Sequence, residues 1–277
     1  MEIRSYINNL DRNDPANEAL YQDIADIFTH CVPNFERLLT QMNAEKRIKD
    51  IIPNEQKDVI LTDCQVIVKI ANCEVDSEHP SFNEGSWHLE GISSEQIVAT
   101  SVYYFEMNNL EPNYLRFRTT ITRKGFANRL DYPHYCFEYV SRHYPMKHLH
   151  KDNQNFISSA IPLGRIPTKE NLSVFFPNYL QHRVSEIRLD KTNHNNSSDR
   201  GNRGILVFFL INPFERVLST ANIPPQQKPV AKDDGSVQPE MSLEEAKMYR
   251  ELLMFERKFE YSEQNSFHQR DYALCEH

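Results

Sequence analysis

The segment Gly85-Ser86-Trp87-His88-Leu89-Glu90-Gly91 places an imidazole and a carboxylate two residues apart. On an extended strand alternate side chains share a face, so His88 and Glu90 point the same way. They make two thirds of a facial metal site. A distant histidine would complete a set of two histidines and one carboxylate, which leaves open coordination positions and suits non-haem Fe(II). His182, in the segment Phe176-Pro177-Asn178-Tyr179-Leu180-Gln181-His182-Arg183-Val184, is the candidate third ligand. With eleven histidines in the chain, any one of them reads first as structural. The combination carries the assignment. Trp87, the only tryptophan, should face away from the site, across the strand.

Arg203 stands at the mouth of the most apolar run in the chain, Gly204-Ile205-Leu206-Val207-Phe208-Phe209-Leu210-Ile211. A guanidinium there is costly unless it meets an anion, and its fork matches a carboxylate bidentately. One reading is a salt bridge to Asp190, Glu186 or another nearby acid. The other is that Arg203 holds the distal carboxylate of an oxoacid cosubstrate. Tyr104 is either a second hydrogen-bond donor to that carboxylate or a core tyrosine. His143, His148 and His150 form a further cluster that no nearby acid completes, and it reads as a solvated loop.

The elements that must position these residues follow from periodicity. Leu20, Ile24, Ile27, Phe28, Phe35, Leu38 and Leu39 recur at helical spacing over 15–42, behind an Asp14-Pro15 start. Pro33 is expected to divide that run into two shorter helices. Strands are expected at 59–61, 64–71, 85–90, 96–105, 115–121, 172–176, 182–187 and 204–211. Residues 122–155 read as a long insertion. Ser242-Leu243-Glu244-Glu245 is a capping box opening a C-terminal helix through about 261. Roughly eight strands without intervening helices argue for an α+β chain with a mainly β core, an antiparallel jelly roll (double-stranded β-helix) with helices packed outside both ends. The expected division is a helical segment at 1–58, the jelly roll at 59–227 and a linker with C-terminal helix at 228–277, forming one structural domain.

Composition sets outer limits. The net charge of −8 argues against a dedicated nucleic-acid surface, which needs clustered Lys and Arg. No apolar run approaches the length of a membrane span, and Met1-Glu2-Ile3-Arg4-Ser5 does not open a signal peptide. Five cysteines without a C-x-x-C pair fit a reduced intracellular protein, with the cytoplasm expected and the nucleus open. The sequons at Asn171, Asn195 and Asn196 should then stay unmodified.

His88-x-Glu90, the strand bearing Tyr103-Tyr104, His182-Arg183-Val184 and Gly201-x-Arg203 before Ile205 to Phe209 resemble the Fe(II)/2-oxoglutarate oxygenases over about residues 65–215. The spacing is most similar to the prolyl-hydroxylase branch. A resemblance over most of the chain is to a family of uncharacterised fungal proteins. It is carried by Ser5-Tyr6-Ile7-Asn8-Asn9-Leu10, Ser86-Trp87-His88-Leu89-Glu90-Gly91, Phe176-Pro177-Asn178, Gln181-His182-Arg183-Val184 and Pro224-Pro225-Gln226-Gln227. Members of that family carry a further N-terminal region, so the chain reads as a short paralogue or an incomplete gene model.

The oxygenase resemblance implies Fe(II) on His88, Glu90 and His182, with 2-oxoglutarate held by Arg203 and Tyr104 and O₂ as co-reactant. Two departures stand out. Glu90 occupies a position where Asp is commoner, and the polar loop before Arg203 is long, which makes Arg188 a competing anchor. The alternatives are a cupin-like metalloenzyme that does not use 2-oxoglutarate and a non-catalytic jelly-roll module that binds a partner. The residues do not identify a prime substrate or an oligomeric state.

Overall fold

The computed structural model describes residues 1–8, 10–44, 58–120, 156–158, 160–191, 200–223, 230–231, 237–238, 241–268 and 271–273. The expected insertion, the His143, His148 and His150 cluster and Pro224 to Gln227 lie outside them.

The apolar periodicity near the N-terminus produces one helix, α1 (Glu18–Ala44), preceded by a 3-10 turn at Pro15–Asn17 whose first N–H groups are capped by Asp14. The expected break at Pro33 does not occur. A proline inside a helix costs about 3 kcal/mol, whereas each large apolar side chain buried contributes about 1.5–3 kcal/mol. Phe28 and Cys31 before the proline and Phe35, Leu39 and Met42 after it are all buried in one cluster, and that shared face outweighs the lost bond.

The cluster lies against a sheet of four antiparallel strands in the order β1-β10-β3-β7: β1 (Val66–Asp76), β10 (Arg200–Ile211), β3 (Ile97–Asn108) and β7 (Leu172–Pro177). As its composition requires, β10 is internal, and Leu206, Phe208 and Leu210 meet α1. Phe28 stands edge-on to Phe208 at 5.1 Å, and Phe35 to Phe175 at 5.3 Å. Phe208 is fully buried, so Phe208→Ala should cost about 3–5 kcal/mol in urea unfolding with an unchanged m-value.

The opposite face of this sheet carries Val102, Tyr104, Val174, Phe176, Val207 and Phe209. They close against Leu115 and Phe117 of a three-stranded antiparallel sheet in the order β6-β4-β8: β6 (Ala160–Pro167), β4 (Tyr114–Thr120) and β8 (Gln181–Val184). The layers are therefore helix, sheet, sheet. Two-stranded ladders join β2 (Ser81–Phe82) to β9 (Ile187–Arg188), β5 (Phe156–Ser158) to β13 (Asp271–Ala273), and β11 (Val230–Ala231) to β12 (Val237–Gln238).

Val59 and Leu61 are buried but form no strand. Their N–H groups are taken by α1 side chains, Thr40 Oγ1 at 3.0 Å and Glu36 Oε1 at 2.8 Å, so these two donors are not available to a ladder. The capping box is present: Glu245 N–H donates to Ser242 Oγ and Ser242 N–H to Glu245 Oε2, and α2 (Leu243–His268) runs past the expected end. Arg257 of α2 grips Glu95 through two bonds of 2.9 and 3.0 Å. Among the described residues the chain is thus mixed α+β, mainly antiparallel strands with two α-helices. No described helix is long and apolar enough to cross a membrane.

Candidate metal centre

His182 sits inside β8, cross-strand from Phe117, and points between the sheets, where it is buried against the Phe117 and Phe176 rings. His88 is not on a regular strand as expected. It makes an isolated antiparallel bridge with His182, with His88 N–H donating to His182 O at 3.1 Å and His182 N–H to His88 O at 3.0 Å. That pair of hydrogen bonds sets the two imidazoles side by side, with ring centroids 4.3 Å apart.

Glu90 is placed by a different device. Its N–H donates to Asn178 Oδ1 at 2.8 Å, and Asn178 Nδ2 donates to Glu90 O at 2.9 Å and to Ile97 O at 3.0 Å. Asn178 lies in the turn between β7 and β8, so one amide clasps the Glu90 loop to the start of β3. In the sequence Asn178 stands only as part of the Phe176-Pro177-Asn178 segment. Its positioning role needed the fold.

The result is a cluster in which one ligand atom each from His88, Glu90 and His182 lies within 4.8 Å of the others. Glu90 Oε1 is 3.0 Å from His182 Nε2 and 3.8 Å from His88 Nε2. His88 Nδ1 is 2.8 Å from Ser86 O, and a proton there places the lone pair on Nε2, the nitrogen nearer Glu90. Burial, with the neighbouring His182 charge, holds the His88 imidazole below its usual range, outweighing Glu90 and Ser86. Burial alone would raise the Glu90 carboxyl, but the His182 hydrogen bond and the two imidazole charges bring it below the ordinary value. Neutral imidazole nitrogens and an ionised carboxylate are the forms that ligate, so the donor set fits a divalent metal ion. His182 Nδ1 is buried without a hydrogen-bond partner, unlike the outer nitrogen of most metal-bound histidines.

If Asn178 sets the carboxylate, Asn178→Ala should weaken metal affinity by about tenfold while all three ligands remain. Equilibrium competition with a chromogenic chelator measures this.

Arg203, two residues before Ile205 on β10, faces Met107 across the ladder and projects into the interior between the sheets. It is buried, and its Nε and Nη1 have no hydrogen-bond partner. Burial pulls its pKa down, with Tyr104 and Cys73 opposing. No carboxylate pairs with it among the described residues, and Glu186 is engaged with Arg188 at 2.7 Å. Tyr104 is buried in the same interior, and burial pushes its phenol up to about 12 against the Arg203 charge. Arg188 lies instead on the exposed surface. Trp87 projects to the far side from the cluster, beside Arg118 and Arg183. Cys31, Cys64 and Cys73 are free thiols.

A comparison with curated proteins finds no match. A family profile described as "Protein of unknown function (DUF4246)" matches residues 1–63 and 55–234, which is most of the chain and includes all three clustered residues. The chain belongs to that family.

Proposed function

We propose that the protein is an Fe(II)- and 2-oxoglutarate-dependent oxygenase built on a double-stranded β-helix, with His88, Glu90 and His182 as metal ligands. The observation that supports this most is the convergence of two imidazoles and one carboxylate from segments some ninety residues apart, with their ligand atoms within 4.8 Å. Bound there, Fe(II) with 2-oxoglutarate and O₂ supplies the oxidising chemistry that hydroxylates a C–H bond.

The chain's own residues divide the remaining work. Arg203 offers a buried guanidinium with two unpartnered N–H donors, suited to the distal carboxylate of 2-oxoglutarate. Tyr104 stands beside it as a neutral phenol able to donate to the same group. Phe117 and Phe176 flank His182 and keep that wall of the site dry, which strengthens every charge interaction inside it. Facing sheets of four and three antiparallel strands, with α1 outside the larger one, suit the jelly-roll reading.

The test is succinate release from 2-oxoglutarate under air, with and without Fe(II) and ascorbate. Release that needs both iron and 2-oxoglutarate and is lost in His182→Ala is expected. Metal binding without any turnover of 2-oxoglutarate would instead favour a cupin-like enzyme or a metal-bearing binding module.

A further inference from the structure

The segments that carry His88 and His182 inward carry a different chemistry outward. Antiparallel register sets Arg165 of β6 opposite Arg116 of β4, and Arg116 opposite Arg183 of β8. The His88–His182 bridge continues that row to Trp87. Directly opposed residues share a face, and the next row, Phe117 and His182, points into the core, so the arginine row points out. Arg118 joins it, and the guanidinium carbons of Arg118 and Arg183 each lie 4.6 Å from the Trp87 ring centroid. Arg165 lies over the Tyr114 ring at 4.0 Å.

Among the described residues Glu84 is the one carboxylate paired with these cations, 3.4 Å from Arg116 and 3.1 Å from Arg183. Four guanidiniums thus face one acid in a chain whose net charge is −8. Like charges directly opposite across a sheet repel. Arg116 Nε, Arg118 Nη2 and Arg183 Nε are moreover buried without a hydrogen-bond partner. Burial and the Arg183 charge push Arg118 down to about 10. A salt-bridged, solvated surface would leave neither the excess of charge nor the orphaned donors.

We infer that this outer face is an anion site that takes the phosphate group of a small phosphate monoester. Once Glu84 offsets one guanidinium, about three positive charges remain. A phosphate monoester brings about −1.5 to −2 charge and three acceptor oxygens, against one charge and two oxygens for a carboxylate. Trp87 and Tyr114 already lie against guanidiniums, so the face offers fixed cations and no open aromatic platform for stacking a base. The inference stands independently of the oxygenase reading.

Isothermal titration of the full chain with inorganic phosphate and with glycerol 2-phosphate, at low and matched ionic strength, tests it. Both should bind saturably near one equivalent, more weakly as salt rises. Acetate, which brings the one charge and two oxygens of a carboxylate, should bind at least about tenfold more weakly. Arg116→Gln and Arg183→Gln should each weaken binding by about tenfold or more, with folding checked by circular dichroism. Glu84→Gln keeps the side chain's size and removes the competing charge, so it should tighten binding severalfold. Absence of saturable phosphate binding, acetate binding as tightly as phosphate, or no tightening in Glu84→Gln would overturn the assignment. So would single-stranded RNA binding through these arginines where free phosphate does not.

Discussion

Replacing both His88 and His182 with alanine should abolish stoichiometric binding of Fe(II), Mn(II) or Co(II), and His182→Ala alone should weaken it by about tenfold or more. The geometry makes the two positions interdependent. His88 is held by its bridge to His182, and His182 Nε2 is the atom bonded to the Glu90 carboxylate. Alanine at both leaves the backbone bridge but removes the nitrogens, so the loss reports ligation. Acid should act in the same direction. The imidazoles must be neutral to ligate, so affinity should fall as pH drops below about 6. The metal-free protein should also lose stability on acidification. Burial holds the His88 pKa below its unfolded value, so the unfolded chain binds more protons and stability rises with pH through that window. Metal analysis across pH, beside thermal unfolding of apo wild type and His88→Ala, reads both effects.

Arg203→Ala should raise the dissociation constant for 2-oxoglutarate while metal content stays near the wild-type value. A charge-assisted bidentate pair in a partly dry interior is worth about 2–4 kcal/mol on truncation, or about 30- to 700-fold in affinity. Arg203 projects into the interior with two unpartnered donors, whereas Arg188 is exposed and paired with Glu186. Arg188→Ala should therefore leave 2-oxoglutarate binding unchanged. Loss in Arg188→Ala with none in Arg203→Ala would place the anchor on the β9 side.

The residue types of the cluster were legible in the sequence, but not everything that assembles it. Strand parity places His88 and Glu90 on one side, and the structure does bring them together. Their segment, however, is one bridge residue followed by a loop held through Asn178, and alternation cannot encode such a clasp. The buried course of β10 was readable because Gly204 to Ile211 is apolar on both faces, as a strand covered by α1 on one side and a second sheet on the other must be. Pro33 does not divide the helix because burial on both sides of it opposes the local rule against an interior proline. Val59 to Leu61 form no strand because buried, apolar residues need not be laddered when side chains such as Thr40 and Glu36 take their N–H groups. The arginine row was invisible in the linear text: Arg116, Arg165 and Arg183 become neighbours only through cross-strand register.

Trp87, the chain's only tryptophan, reports whether one metal ion sits on His88, Glu90 and His182. It adjoins His88, and consecutive Cα atoms are about 3.8 Å apart, which keeps the indole within roughly 10 Å of the cluster even though it faces the other way. Anaerobic titration with Co(II), excited at the red edge of the indole band to exclude the thirteen tyrosines, should quench Trp87 emission. The quench should saturate near one equivalent, reverse with a chelator, be far weaker with Zn(II), and vanish in His88→Ala, whose Trp87 is untouched. Emission that never responds in the wild type, or a quench that persists unchanged in His88→Ala, would contradict the assignment.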